Sequence, residues 1–108
     1  MTVFDPEHFA HMTGGDVGLQ REVVGMFRAQ VASWALVLAP ESEPRACRAA
    51  LHTLKGSARG IGLWVLAECC ETAEAAFDPT DGDVAAALAD VHAALTEALA
   101  ALDAFEHG

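Results

Sequence analysis

The chain of 108 residues has no tyrosine, only three cysteines and only four prolines, and it carries six Lys/Arg against sixteen Asp/Glu. A formal net charge of −10 argues against nucleic acid or an anionic membrane as the main partner, because both require broad positive surfaces. Cys47, Cys69 and Cys70 form an odd set, adjacent cysteines rarely pair, and no Cys-x-x-Cys spacing supports a metal site. They are expected to be reduced core thiols. Apolar residues make up 53% of the chain, yet no run reads as the roughly 18 residues needed to span a bilayer. The opening Met1 to Glu7 lacks the basic and apolar regions of a signal peptide, so the expected location is cytoplasmic. Low-complexity tracts, long linkers, solenoid-period repeats and strand alternation are all missing, as are a glycine-rich phosphate loop and a recognisable ATP site. One domain over residues 1–108 is expected, with a real core but small for an enzyme with its own nucleotide fold.

What is present is helical periodicity. Breaks at Asp5-Pro6, Gly14 to Asp16, Pro40 to Pro44, Gly60 to Gly62 and Asp78 to Asp83 divide the chain into one short helix and four long ones. The first helix is expected to use Asp5 as N-cap and Pro6 at its first position, with Phe4, Phe9 and Met12 lying across one end of a bundle. The second, from about Asp16 to Leu38, places Leu19, Val23, Phe27, Gln30, Trp34 and Leu38 on one arc. The third, from about Pro44 to Ile61, has an inward arc of Cys47, Ala50, Leu51, Leu54, Ala58 and Ile61. The fourth, about Leu63 to Phe77, buries Leu63, Leu66, Ala67, Cys70, Ala73 and Phe77. The last, about Asp83 to Glu106, uses Val84, Leu88, Val91, Leu95, Leu99 and Leu102 as its seam. Short connections favour an all-α fold: an antiparallel up-down-up-down four-helix bundle with a short extra N-terminal helix.

Arg45, Arg48, His52, Lys55 and Arg59 follow one another at steps of 3, 4, 3 and 4 on the third helix, so they share one face. Residues 44–67 hold four of the six Lys/Arg and none of the sixteen Asp/Glu. A titratable imidazole in a cationic stripe on an acidic protein suggests a site that handles negative charge. Gly56 lies one turn after His52, at a helix-interior cost of about 1 kcal/mol relative to Ala. It projects beside His52 rather than toward the apolar arc, which favours open access to the ring over a close helix contact. His8 and His11 have a ligand-like spacing, but solvated side chains are expected there. On the fourth helix, Glu68 and Glu71 project outward, while Glu74 falls inside the apolar arc. A carboxylate in such a stripe needs a partner or it neutralises. His52 is the partner offered by the neighbouring helix: Glu74 would accept from Nδ1–H and leave Nε2 outward as a nucleophile. A frayed, exposed Glu near the helix end is the alternative.

The run His52-Thr53-Leu54-Lys55-Gly56-Ser57-Ala58-Arg59-Gly60-Ile61-Gly62 resembles the signature of histidine-containing phosphotransfer (HPt) domains, His-x-Leu-Lys-Gly-Ser-Ala-x-x-Ile/Leu-Gly. The resemblance implies that His52 is phosphorylated on Nε2, that Lys55 supports the phosphoryl group, and that Gly56 clears its approach. It also implies that Glu74 stands where relatives carry a Gln or Glu bonding the other ring nitrogen. Leu51 departs from the Ala that commonly precedes the histidine, which bears on packing more than on chemistry. Arg45, Arg48, Ala49, Arg59 and Gly60 are expected to form a docking surface with nearby second-helix residues. The implied partners are response-regulator receiver domains and a hybrid histidine kinase. No cofactor is expected on this chain, and Mg²⁺ would belong to the receiver. A monomeric, free-standing relay is expected, favoured by Met1 and the tidy end at Gly108. The alternatives are a domain of a larger kinase, phosphorylated directly by its kinase domain, and a receiver-binding adaptor that is never phosphorylated.

Overall fold

The computed structural model describes residues 1–77 and 82–108. Part of the break expected from Asp78 to Asp83 therefore lies outside the described residues. Five helices follow one another: α1 Pro6–Met12, α2 Val17–Trp34, α3 Pro44–Ile61, α4 Trp64–Ala75 and α5 Val84–His107, with no strand among the described residues. Their starts follow from local chemistry. Asp5, Asp16 and Asp83 each accept a hydrogen bond from the backbone N–H three residues on, and Glu43 accepts from Arg45 and Ala46. These side chains satisfy donors that the first helical turn leaves unpaired. Helix α3 ends at Gly62, whose φ of 94° suits glycine; an added Cβ would also meet the Asp5 carbonyl oxygen at 3.0 Å. That closeness is used, because the Asp5 N–H donates to the Gly62 carbonyl at 2.9 Å and ties the first turn of the chain to the end of α3.

Helix α3 packs on α4, α4 on α5, α1 on α3 and α2 on α5. The inward arc of α3 is buried at every position expected, from Cys47 to Ile61. Leu51, Leu54, Leu63, Leu66, Leu88 and Leu102 are all fully buried, each contributing about 1.5–3 kcal/mol of transfer free energy. Phe4 and Phe9 close one end of the core, edge-on to each other and to Phe105 near the end of α5.

Five expectations are corrected. Helix α2 ends at Trp34 rather than Leu38, and Leu38 reaches the core from the turns that follow. Its buried face is Gln20, Val24, Phe27 and Val31; Leu19 and Gln30 are exposed, and Val23 and Trp34 are half-buried. Gln20 tolerates burial because its amide donates to the Thr13 hydroxyl at 3.0 Å, and that hydroxyl donates to the Phe9 carbonyl at 2.7 Å. Met12 does not join Phe4 and Phe9 but is 58% exposed. His8 is half-buried rather than solvated, its Nε2 3.0 Å from the Arg59 carbonyl and its ring edge-on to Trp64. Finally, α5 is by length and composition apolar enough to cross a membrane, because its alanines count as apolar. Its Leu88, Val91, Leu95 and Leu102 are buried in the core.

Candidate functional site at His52

His52 stands at the middle of α3 with its side chain 74% exposed. The same helical turn that buries Leu51 and Leu54 turns His52 outward, so a rigid element presents the ring to solvent. Glu74 of α4 faces it, with Oε2 3.5 Å from Nδ1. That separation suits an ion pair and is longer than a typical hydrogen bond. The other carboxylate oxygen, Oε1, lies 2.7 Å from Nζ of Lys55. It is buried without an aligned hydrogen-bond donor, so the contact is one of charge rather than of directed hydrogen bonding. The Lys55 side chain is only 14% exposed and is folded toward α4, not extended into solvent beside the ring.

Gly56 is exposed one turn after His52, and a Cβ built there would meet nothing within 4 Å. The glycine is therefore not required by a close helix contact within this chain. Ala49 and Gly60 continue the same small-residue side, and Gly60 borders a groove of about 350 Å³ between α1, α2 and α3. Met12, Leu19, Val23, Met26, Ser57 and Ile61 contribute to its walls. Leu19, expected on the core-facing arc of α2, instead joins Met26 in this exposed apolar wall. The signal was present in the sequence: α2 carries two adjacent apolar stripes, more than one core-facing arc needs.

The remaining stripe residues divide. Arg59 pairs with Glu71 at 3.4 Å on the surface, whereas Arg45 and Arg48 are exposed and make no ion pair with a described residue. The three cysteines are free thiols. Burial pushes all three thiols up, most strongly Cys70, to about 12, with Cys69 and Glu74 adding to the effect and Lys55 opposing it. Among the described residues no cluster of three or more His, Cys, Asp or Glu could hold a metal ion.

The Hpt domain family model matches residues 21–105. The chain belongs to the Hpt domain family. Its fold is shared by the crystal structure of the histidine phosphotransferase ShpA from Caulobacter crescentus, with 34% sequence identity and a TM-score of 0.80 over 98% of this chain and 92% of that one. No curated protein matches the sequence. The activity of this Hpt domain is histidine phosphotransfer in phosphorelays, where Hpt domains work with receiver domains and histidine kinases.

Proposed function

We propose that His52 is the phosphoryl-carrying residue and that it passes the group between receiver aspartates. The observation that carries this reading is the solvent-presented imidazole with Glu74 behind Nδ1 and nothing over Gly56. With the proton on Nδ1, the Nε2 lone pair attacks the phosphorus of a receiver's aspartyl-phosphate. The N–P bond forms as the P–O bond breaks, and the aspartate leaves as a carboxylate. The ring keeps its Nδ1 proton and gains positive charge, which the Glu74 carboxylate stabilises. Transfer onward reverses these events with a second receiver. Such chemistry depends on in-line positioning and charge stabilisation rather than on covalent machinery in the carrier.

The arriving group brings about −1.5 to −2 charge. A cation at about 4 Å is worth roughly 4 kcal/mol at an effective dielectric of about 20, an upper figure for an exposed site. Lys55 and the exposed Arg48 are the nearest such charges along α3. Mg²⁺ belongs to the acidic pocket of the receiver. Arg45, Arg48, Ala49, Gly56 and Gly60 form the docking surface, joined by the Met26-lined groove of α2. The pairing order of the helices and their short connections support an antiparallel up-down-up-down arrangement of α2 to α5 in a single domain.

The test is incubation with a cognate phosphorylated receiver. His52→Gln should accept no phosphoryl group, while variants at His8, His11, His92 and His107 should still be labelled. Labelling of His52→Gln would refute the assignment; receiver binding by the wild type without any phosphohistidine would make the domain an adaptor.

A further inference from the structure

Lys55 is placed where a surface lysine has little reason to be. Its side chain is 14% exposed, and its ammonium sits against Oε1 of Glu74, an oxygen sealed from solvent and without another polar partner. Oε2 of the same carboxylate is the atom that faces Nδ1 of His52. The carboxylate is thus clamped from one side by a cation and offered to the imidazole on the other. We propose that Lys55 acts on His52 through Glu74, as a positioning residue that pins the carboxylate beside Nδ1 and thereby keeps the neutral ring protonated on Nδ1 with Nε2 free. This rests on the reading of His52 as the phosphoryl acceptor.

The physical case turns on Oε1. A carboxylate oxygen buried without a partner carries a desolvation penalty that the side chain avoids by rotating outward or by neutralising. With Lys55 present, the buried position is compensated and the carboxylate stays where it is. With Lys55 removed, Glu74 has a path to water at the helix surface and loses its hold on Nδ1. A carboxylate facing one ring nitrogen favours the proton on that nitrogen, so the ring tautomer reports directly on this 3.5 Å contact. The other charged groups nearby do not substitute for Lys55. Arg59 is engaged with Glu71 on the next turn of α4, Arg48 lies on the far side of His52 along α3, and the Cys70 thiol beside Lys55 and Glu74 stays neutral because burial pushes it up to about 12.

The experiment reads the imidazole ¹⁵N shifts of neutral His52 in the full chain, without any phosphodonor. Wild type should hold mainly the Nδ1–H form. In Lys55→Met, which keeps the apolar stem, the ratio of Nδ1–H to Nε2–H should fall about fivefold, the size expected for losing one modest polar contact at Nδ1. Lys55→Arg should restore it. In a Glu74→Gln background the neutral amide needs no counter-ion, so adding Lys55→Met should change nothing further. A mainly Nε2–H wild type, an unchanged ratio in Lys55→Met, or an equal drop in the Glu74→Gln background would each overturn the proposal. Should Lys55→Met lose its helical spectrum, Lys55→Gln is read against the same expectations. A chain whose tautomers follow this pattern but whose His52 takes no phosphoryl group would fail the functional reading and leave the role of Lys55 standing. Labelling of His52 with tautomers indifferent to Lys55 would do the reverse.

Discussion

Gly56→Ala separates stability from function at one atom. A methyl group placed at Gly56 meets nothing within 4 Å, and the residue lies in the interior of α3 with no positive φ to protect. The full difference in helix propensity is then available, a gain of about 1 kcal/mol over glycine. For a domain of this size that raises Tm by roughly 4 °C. Gly25 supplies the control. It is exposed within α2, a Cβ there also meets nothing, and it does not border the apolar groove. Gly25→Ala should show a comparable gain in Tm and transfer phosphoryl groups normally.

At Gly56 the gain should come with a loss. A receiver that seats its aspartate against Nε2 of His52 must bring its own backbone close to the turn that Gly56 opens. Overfilling a close-packed contact costs about 1–3 kcal/mol, equivalent to a fall in kcat/KM of roughly 5- to 150-fold. Thermal unfolding gives the first quantity; single-turnover transfer from a purified phosphorylated receiver gives the second. Gly56→Leu should be slower still while remaining folded. Two results would refute the reasoning. Destabilisation by Gly56→Ala would mean that the glycine serves packing inside the chain. Wild-type transfer by both Gly56→Ala and Gly56→Leu would mean that no partner approaches there.

Further outcomes follow from the same geometry. Met26→Asp places a charge in the wall of the groove at a residue 64% exposed, so it should leave the melting curve within about 0.5 kcal/mol of wild type but weaken receiver binding measured by titration calorimetry. Leu54→Ala should cost about 2–5 kcal/mol in urea unfolding, since the side chain is wholly buried between the stripe and the core. The Asp5 carboxyl is held below its ordinary 3.8, first by the backbone N–H of His8 and then by the indole N–H of Trp64. Its folded value lies below its unfolded one, so its contribution is complete above about pH 4 and is lost as pH falls through the folded value. The gap in Tm between wild type and Asp5→Asn should therefore narrow below about pH 4, and a gap constant to pH 2 would exclude that linkage.

Much of this architecture is legible in the sequence because each helix buries a face set by its own period. Helix α3 is the clearest case: Cys47, Ala50, Leu51, Leu54, Ala58 and Ile61 recur at one phase, and no second apolar stripe competes. Helix α2 is misread for the converse reason. Leu19, Val23, Met26 and Gln30 run beside Gln20, Val24, Phe27 and Val31, and a projection shows the width of an apolar face but not which edge its neighbours cover. The covered edge includes a glutamine, which hydropathy alone places outside. Its burial depends on Thr13, a residue from the preceding turn whose hydroxyl the amide happens to reach. Glu74 is legible as a misplaced carboxylate, and His52 as the residue across from it, because both follow from single-helix phase and the packing of α3 on α4.

Pairing between helices is what phase cannot supply, and it changes the electrostatics of the site. On α3 the five stripe residues look equivalent. In the folded chain Lys55 is taken by Glu74 and Arg59 by Glu71, leaving Arg45 and Arg48 without an ion pair among the described residues. Unpaired positive charge therefore lies on the N-terminal side of His52, and the apolar groove bordered by Gly60 and Ile61 lies on the C-terminal side. Exposed ion pairs such as Arg59–Glu71 are worth about 0–1 kcal/mol, so the neutralisation affects the field more than the fold. Such a field favours an acidic surface at the Arg45 and Arg48 end of the stripe and an apolar one at the other. The two ends of the stripe therefore differ in kind, with unpaired charge at one and an apolar groove at the other.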